Sequence, residues 1–418
     1  MKAKFAQIFH TRKSHIKNYI WRALQLGSRQ GVVFLILFIS AKLLTPEELG
    51  IYTYTIAFGF LFSLFADFGI SKAVSKFVAE FNISDPEKVK AIFFNAALTL
   101  FSIIVILTFL FISFEKEIVG KNYIYIKYLL PLFFFLPFSS LYDGIYLGLK
   151  KFKILAVIAL IAGAISVTAT YFLISKYRLV GTFLALDLYY FLLFILFAVS
   201  YKNYSFTIDK KLFAVIWKYS IIIGISGLGH FLYSKANVII LGKFNYFVEA
   251  GYYELIDKIF MLFTFGVLIF GQVIAPKVTE LYTEKQYNLL FSYFKKIITA
   301  VFILGVIISL ILFFISPIFM KIFLSKYLTE NFSLMFNLLL IHLPLVFISS
   351  CIAQPFVIGT GFAKYSLITI PSGILNIIIS IILVKNFGFV GVVYGVLVIS
   401  IISKLLLFYL IYRRLRIA

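Results

Sequence analysis

Long apolar stretches follow one another along almost the whole chain, and each can cross the roughly 30 Å of hydrocarbon in a bilayer. The connections between them are short, so no sizeable soluble domain is expected. The chain is 62% hydrophobic and its mean hydropathy is +1.03, far above that of soluble domains. We predict an all-α polytopic membrane protein with twelve transmembrane helices, at 22–44, 49–71, 91–113, 124–147, 154–175, 179–200, 218–241, 255–275, 295–315, 332–358, 366–384 and 389–411.

Basic residues fall in alternate connections, which is the pattern that orients a membrane protein. The formal net charge of +22 therefore indicates topology and not a nucleic-acid partner. We expect residues 1–17 to form a cytoplasmic basic leader and both termini to lie in the cytoplasm. The Lys-poor connections then lie outside the cell membrane.

The two halves of the chain share matched blocks in the same order. Shifts of 201, 213 and 210 residues align these pairs: Gly50 with Gly251, Lys76 with Lys277, Pro131 with Pro344, and Gly181 with Gly391. An even number of spans per copy makes the repeats parallel. We predict two six-helix lobes around a central cavity, at 18–201 and 212–418, joined by a cytoplasmic linker at 202–211. Such lobes suit alternating access.

Sequence motifs for catalysis give little support to an enzyme. No G-x-x-x-x-G-K-[ST] segment occurs, so ATP hydrolysis is not expected. The four histidines form no H-E-x-x-H motif, and no long external loop carries paired acidic residues. The single cysteine, Cys351, excludes an internal disulfide framework and makes a thiolate metal site implausible. We expect no cofactor and no metal.

A polar stripe lies on one helical face of the first span. Asn18, Arg22, Gln25 and Arg29 follow helical spacing, whereas the opposite face is apolar. An arginine at depth in a bilayer costs roughly 2.5 kcal/mol or more, so it usually faces protein or a hydrated cavity. We predict that Arg22, Gln25 and Arg29 bind substrate. In the alternative interpretation the arginines extend their charged groups to the lipid headgroups.

The shift of 201 residues aligns His230 of the second lobe with Arg29 of the first. Lys235 lies near the middle of span 7, far from either interface. We predict that both residues bind substrate, although a histidine in an apolar helix can also be a packing residue. Glu254 and Lys258 stand four residues apart and are expected to form a solvated ion pair at the external mouth.

Asp187 is the deepest carboxylate that these sequence patterns point to. It lies about eight residues into span 6, roughly 12 Å from the external boundary. Two interpretations stay open: the carboxylate pairs with a cation such as Lys235, or it binds a proton or Na⁺ that couples transport.

Residues 43–52 (Leu-Leu-Thr-Pro-Glu-Glu-Leu-Gly-Ile-Tyr) and 64–70 (Leu-Phe-Ala-Asp-Phe-Gly-Ile) carry a family resemblance. They resemble the polysaccharide and lipid-linked oligosaccharide flippases, in the superfamily that also contains multidrug and toxin extrusion transporters. The resemblance implies export of a saccharide on a polyprenyl (pyro)phosphate, with membrane lipid and glycan-assembly enzymes as partners.

The leading hypothesis is therefore a flippase that works without ATP hydrolysis. The basic candidates Arg22, Arg29, His230 and Lys235 outnumber Asp187, and this favours an anionic substrate over organic cations. Two alternatives are kept: a cation-coupled multidrug exporter, and a membrane-embedded glycosyltransferase or glycan polymerase.

Overall fold

A computed structural model describes residues 2–202 and 204–417, which are helical apart from short connections. The α-helices are α1 (Lys2–Leu43), α2 (Pro46–Asp67), α3 (Ile70–Ser84), α4 (Pro86–Ser113), α5 (Glu115–Val119), α6 (Leu130–Gly148), α7 (Phe152–Tyr177), α8 (Leu179–Ser200), α9 (Lys210–Ser234), α10 (Ala236–Lys243), α11 (Phe247–Thr283), α12 (Tyr287–Phe323), α13 (Glu330–Leu340), α14 (Leu343–Ile352), α15 (Thr369–Phe387) and α16 (Phe389–Ile417). A 3₁₀ segment, Gly120–Leu129, leads into α6. The all-α prediction is confirmed.

Among the described residues, eleven helical segments are long and apolar enough to cross a membrane, and one bent pair is a candidate twelfth span. The bent pair is α13 with α14, at an angle of 46°. Pro344 at the start of α14 lacks an N–H and cannot continue the helical hydrogen-bond ladder, which accounts for the break. The number of predicted spans is thus reached with one broken helix.

Packing divides the chain into two compact units. Unit 1 comprises Met1–Leu44 and Phe58–Gly227, and unit 2 comprises Thr45–Ala57 and Leu228–Ala418. These boundaries differ from the linker at 202–211 that the duplication suggests, so the lobe limits stay a prediction.

The structure repeats the local geometry that the duplication predicts. A Cβ on Gly181 would lie 2.2 Å from the carbonyl oxygen of Leu173, and a Cβ on Gly391 would lie 2.2 Å from that of Leu383. Both pairs join the end of one helix to the start of the next, α7 to α8 and α15 to α16. Each turn also contains a residue with positive φ, at 52° and 61°. The backbone plan is therefore shared by the two halves.

The Asp-x-Gly part of the family motif forms the turn between α2 and α3. Gly69 has a φ of 84°, a conformation that favours glycine. A Cβ there would lie 2.7 Å from the carbonyl oxygen of Ser220 on α9. Asp67 accepts a hydrogen bond from the backbone N–H of Ser71 at 3.0 Å, which satisfies one free donor of α3. The motif thus specifies a tight turn against α9 within unit 1.

Two glycines fix the position of α6 in unit 1. A Cβ on Gly144 would lie 2.2 Å from the carbonyl oxygen of Ser71, and one on Gly148 would lie 2.7 Å from that of Ser75. This small-x-x-x-small spacing lets the backbones of α6 and α3 approach closely. The close contact sets the rotation of α6, and therefore the direction of the neighbouring residue Asp143.

Gly50 and Gly251, which the duplication aligns, pack against each other in unit 2. A Cβ on Gly50 would lie 1.7 Å from the carbonyl oxygen of Phe247, and one on Gly251 would lie 3.1 Å from the backbone nitrogen of Gly50. The first turns of α2 and α11 therefore meet backbone to backbone, with no room for a side chain.

The variant Gly50→Ala should be destabilised because its methyl group cannot fit against Phe247. Forcing an extra group into a packed contact costs about 1–3 kcal/mol. The matched control is Gly31→Ala, because a Cβ on Gly31 meets no atom within 4 Å. Thermal unfolding of the two detergent-purified variants measures the effect. Equal midpoints would contradict the packing described.

Candidate functional site

Three residues of α1 are linked to one carboxylate of α6 in unit 1. Arg29 Nη1 donates to Asp143 Oδ2 at 3.1 Å. Gln25 Nε2 donates to Asp143 Oδ1 at 3.2 Å, and Arg22 Nη1 donates to Gln25 Oε1. The structure thus brings together the predicted residues Arg22, Gln25 and Arg29, and it adds Asp143. The side chain of Asn18 lies outside the described part of the structure.

The guanidinium of Arg29 is only partly satisfied. Its Nε and Nη2 atoms are buried, and no described residue accepts a hydrogen bond from them. These two N–H groups form one edge of the planar guanidinium, and such an edge matches two oxygens of a carboxylate or phosphate. Most buried donors in proteins are paired. The Nε–Nη2 edge is therefore an exception among buried donors, because it has no acceptor among the described residues.

Tyrosines of α8 complete the surroundings of Arg29. Tyr189 and Tyr190 lie near its guanidinium. Tyr189 is 1% exposed and its hydroxyl makes no hydrogen bond to a described residue. A second buried polar group near Arg29 therefore lacks a partner within the described part of the chain.

Lys235 lies in an ion-pair cluster of unit 2, between α9 and α10. Its Nζ contacts both carboxylate oxygens of Glu254, at 2.6 and 2.7 Å. It also lies 3.7 Å from Asp257, and Lys258 lies 3.5 Å from Glu254. Two cations therefore face two carboxylates, and Lys235 has its own counter-ions.

The expectation of a solvated external pair was wrong. Glu254 is 7% exposed and Lys258 is 9% exposed. The i, i+4 spacing predicts that Glu254 and Lys258 form a pair, but it does not distinguish a buried pair from an exposed one. Here the position of Lys235 against Glu254 removes both groups from solvent.

His230 has an exposed side chain on α9. Ser234 donates to its backbone carbonyl oxygen at 2.9 Å. Asn237 of α10 is fully buried and donates to Tyr253 at 3.1 Å. The role of His230 in substrate binding stays a prediction.

Asp187 on α8 is 7% exposed, and its Oδ2 atom has no hydrogen-bond partner among the described residues. No ion pair between Asp187 and a described cation occurs in unit 1. Burial of a carboxylate oxygen without a hydrogen-bond partner is costly. Within the described ranges, no group of three potential metal ligands is present.

The repeated apolar helices define a polytopic membrane protein with buried polar groups. The family model for polysaccharide biosynthesis proteins matches residues 15–282, more than half of the 418-residue chain. The chain therefore belongs to this polysaccharide biosynthesis family.

Solved structures share the fold at low identity. An inward-facing multidrug resistance MATE family transporter of the MOP superfamily matches with a TM-score of 0.79 and 15% identity, over 94% of this chain and 98% of that chain. The lipid II flippase MurJ, in an inward closed conformation, matches with a TM-score of 0.71 and 18% identity, over 93% and 87%. No curated protein sequence matches this chain.

The variant Glu254→Gln should be strongly destabilised, because it leaves Lys235 and Lys258 buried with too little counter-charge. Breaking a buried pair by removing one partner costs about 3–5 kcal/mol. The control Glu87→Gln breaks an ion pair with Lys90 whose Glu87 side chain is 80% exposed, and such surface pairs contribute little. Thermal unfolding in detergent measures both. A larger loss for Glu87→Gln would contradict the assignment.

Proposed function

We propose that this protein flips a polyprenyl-(pyro)phosphate-linked oligosaccharide from the cytoplasmic to the external leaflet of the cell membrane. It works by alternating access and without ATP hydrolysis, with both termini in the cytoplasm. The observation that carries the proposal is the open Nε–Nη2 edge of Arg29 inside a membrane span. The polysaccharide family and the fold shared with a lipid II flippase support it.

The chemistry of the substrate suits this site. A lipid-linked glycan carries an anionic phosphate next to an apolar tail, so its carrier needs a cation at membrane depth. Arg29 offers paired donors, which bind a phosphate in a defined direction. Gln25 and Arg22 extend the polar face by two turns of α1. We assign the phosphate to Arg22, Gln25 and Arg29, and we keep His230 and Lys235 as contacts for the remainder of the substrate.

A second part of the proposal concerns coupling at Asp187. Hard cations bind through several oxygen ligands, whereas a proton needs only one carboxylate oxygen. The unpartnered Oδ2 of Asp187 therefore favours H⁺ over Na⁺ as the coupling ion. Protonation removes the cost of the buried charge, and release of the proton restores it.

Deletion of the gene tests the proposed function. Cells without the protein should lose surface glycan and accumulate the lipid-linked precursor on the cytoplasmic leaflet, because assembly continues while export stops. Surface glycan staining and leaflet-specific labelling of the precursor measure this, with restoration by the intact gene as control. Normal glycan display without precursor accumulation would refute the flippase.

The variant Asp187→Asn tests the coupling. It should fold normally but lose the response of transport to an imposed pH gradient, because an amide cannot bind and release the proton. The control Asp85→Asn removes a carboxylate with 40% side-chain exposure in the turn before α4. Transport by reconstituted vesicles at several pH gradients is the measurement. An unchanged gradient response for Asp187→Asn would exclude this residue.

A cation-coupled multidrug exporter is the second candidate, favoured by the TM-score of 0.79 to a multidrug transporter. Dye extrusion from loaded vesicles tests it. Extrusion that depends on Asp187, together with normal surface glycan in the deletion strain, would support the exporter. The glycosyltransferase or polymerase alternative is less favoured, because the fold is shared with transporters.

A further inference from the structure

Two charged clusters among the described residues differ in how completely they are neutralised. In unit 2, Lys235 and Lys258 face Glu254 and Asp257, so cations and carboxylates are equal in number. In unit 1, Asp143 pairs with Arg29 and is linked to Arg22 through Gln25, so one carboxylate stands against two arginines. The cluster in unit 1 therefore has one positive charge in excess. The same cluster contains the unpaired donors Nε and Nη2 of Arg29.

Asp143 uses its two oxygens separately. Oδ2 accepts from Arg29 and Oδ1 accepts from Gln25, so one carboxylate holds two side chains that lie one turn apart on α1. Only the Nη1 side of Arg29 is engaged. The opposite edge, formed by Nε and Nη2, is buried and has no acceptor among the described residues. A carboxylate that bound Arg29 through two hydrogen bonds would have occupied one of its paired edges.

We propose that Asp143 is a positioning residue, which holds Arg29 by Nη1 so that its Nε–Nη2 edge is available to a phosphate group. This inference rests on the proposed function, in which Arg29 binds the phosphate of the substrate. Asp143 itself does not touch the substrate. The phosphate is then held by unit 1, because Lys235 and Lys258 of unit 2 already have carboxylate partners.

Simple electrostatics and positioning predict opposite effects for Asp143→Asn. If only net charge matters, removal of a carboxylate makes the cluster more positive and strengthens binding of an anion. If Asp143 positions Arg29, binding weakens, because one amide oxygen cannot accept from Gln25 and Arg29 with the same geometry. The sign of the change therefore decides between the two.

The probe is undecaprenyl diphosphate, bound by the purified full-length protein in detergent. We expect Asp143→Asn to weaken binding by about threefold to tenfold, of the order of one hydrogen bond. Arg29→Lys should weaken it by about tenfold, because an ammonium keeps the charge but lacks the paired donors. Undecaprenol, which has no phosphate, should bind all variants equally. Asp85→Asn is the control for loss of an exposed carboxylate.

A charge exchange separates positioning from a purely structural ion pair. The double variant Arg29→Asp with Asp143→Arg can re-form an ion pair between α1 and α6, and it should recover a monodisperse elution profile relative to Arg29→Asp alone. It should not recover binding of undecaprenyl diphosphate, because the guanidinium now extends from α6. Recovery of binding by the exchange, or tighter binding by Asp143→Asn, would overturn the proposal.

Failure of this inference can be told apart from failure of the proposed function. If deletion of the gene leaves surface glycan normal while Asp143→Asn and Arg29→Lys weaken undecaprenyl diphosphate binding, the flippase is refuted and the positioning role stands. If deletion blocks glycan export while both variants bind like the unaltered protein, the flippase stands and the positioning role is refuted.

Discussion

A charge inside the hydrocarbon of a membrane needs a partner, and this requirement shapes both compact units. In unit 2 the requirement is met because the two lysines of the Lys235 cluster lie against two carboxylates. Lys404 meets it differently: its Nζ donates to the hydroxyl of Tyr233 at 2.6 Å. In unit 1 two donors of Arg29 and one oxygen of Asp187 have no hydrogen-bond partner among the described residues. The exceptions are therefore local, and this makes both residues candidates for function.

The two halves keep a common backbone while their chemistry differs. The glycines of the α7–α8 and α15–α16 turns make the same close contacts, and Pro131 and Pro344 both stand at helix starts. The aligned side chains have diverged, however: a shift of 213 residues brings Asp143 onto Phe356, which is fully buried. The partner of Arg29 thus has no equivalent in the second half. Among the described residues, the pairing of Arg29 with Asp143 therefore belongs to one copy of the duplicated scaffold.

Features that are continuous along the chain could be predicted from the sequence. Apolar length predicts the spans, and the motif at 43–70 predicts the family. The link between Arg29 and Asp143 could not be predicted in this way, because it joins residues 114 positions apart and depends on the rotation that Gly144 gives to α6. The burial of Glu254 was missed for a related reason, since its exposure depends on how α10 packs against α11. In the sequence, the partner of Arg29 is visible only as an isolated carboxylate, Asp143, which precedes Gly144 in the fourth predicted span.

A transporter must bind its substrate and also release it, so its grip has to be moderate. Each ionic contact is strong in a low-dielectric setting, so a few well-directed contacts are enough to bind a phosphate. Asp143 engages Nη1 of Arg29 and leaves the paired donors Nε and Nη2 without a partner among the described residues. Under the proposed function, Asp143 fixes the direction of the guanidinium edge, and the small number of directed contacts keeps binding moderate. A buried acid beside the cation of an anion site is then explained by the positioning of that cation.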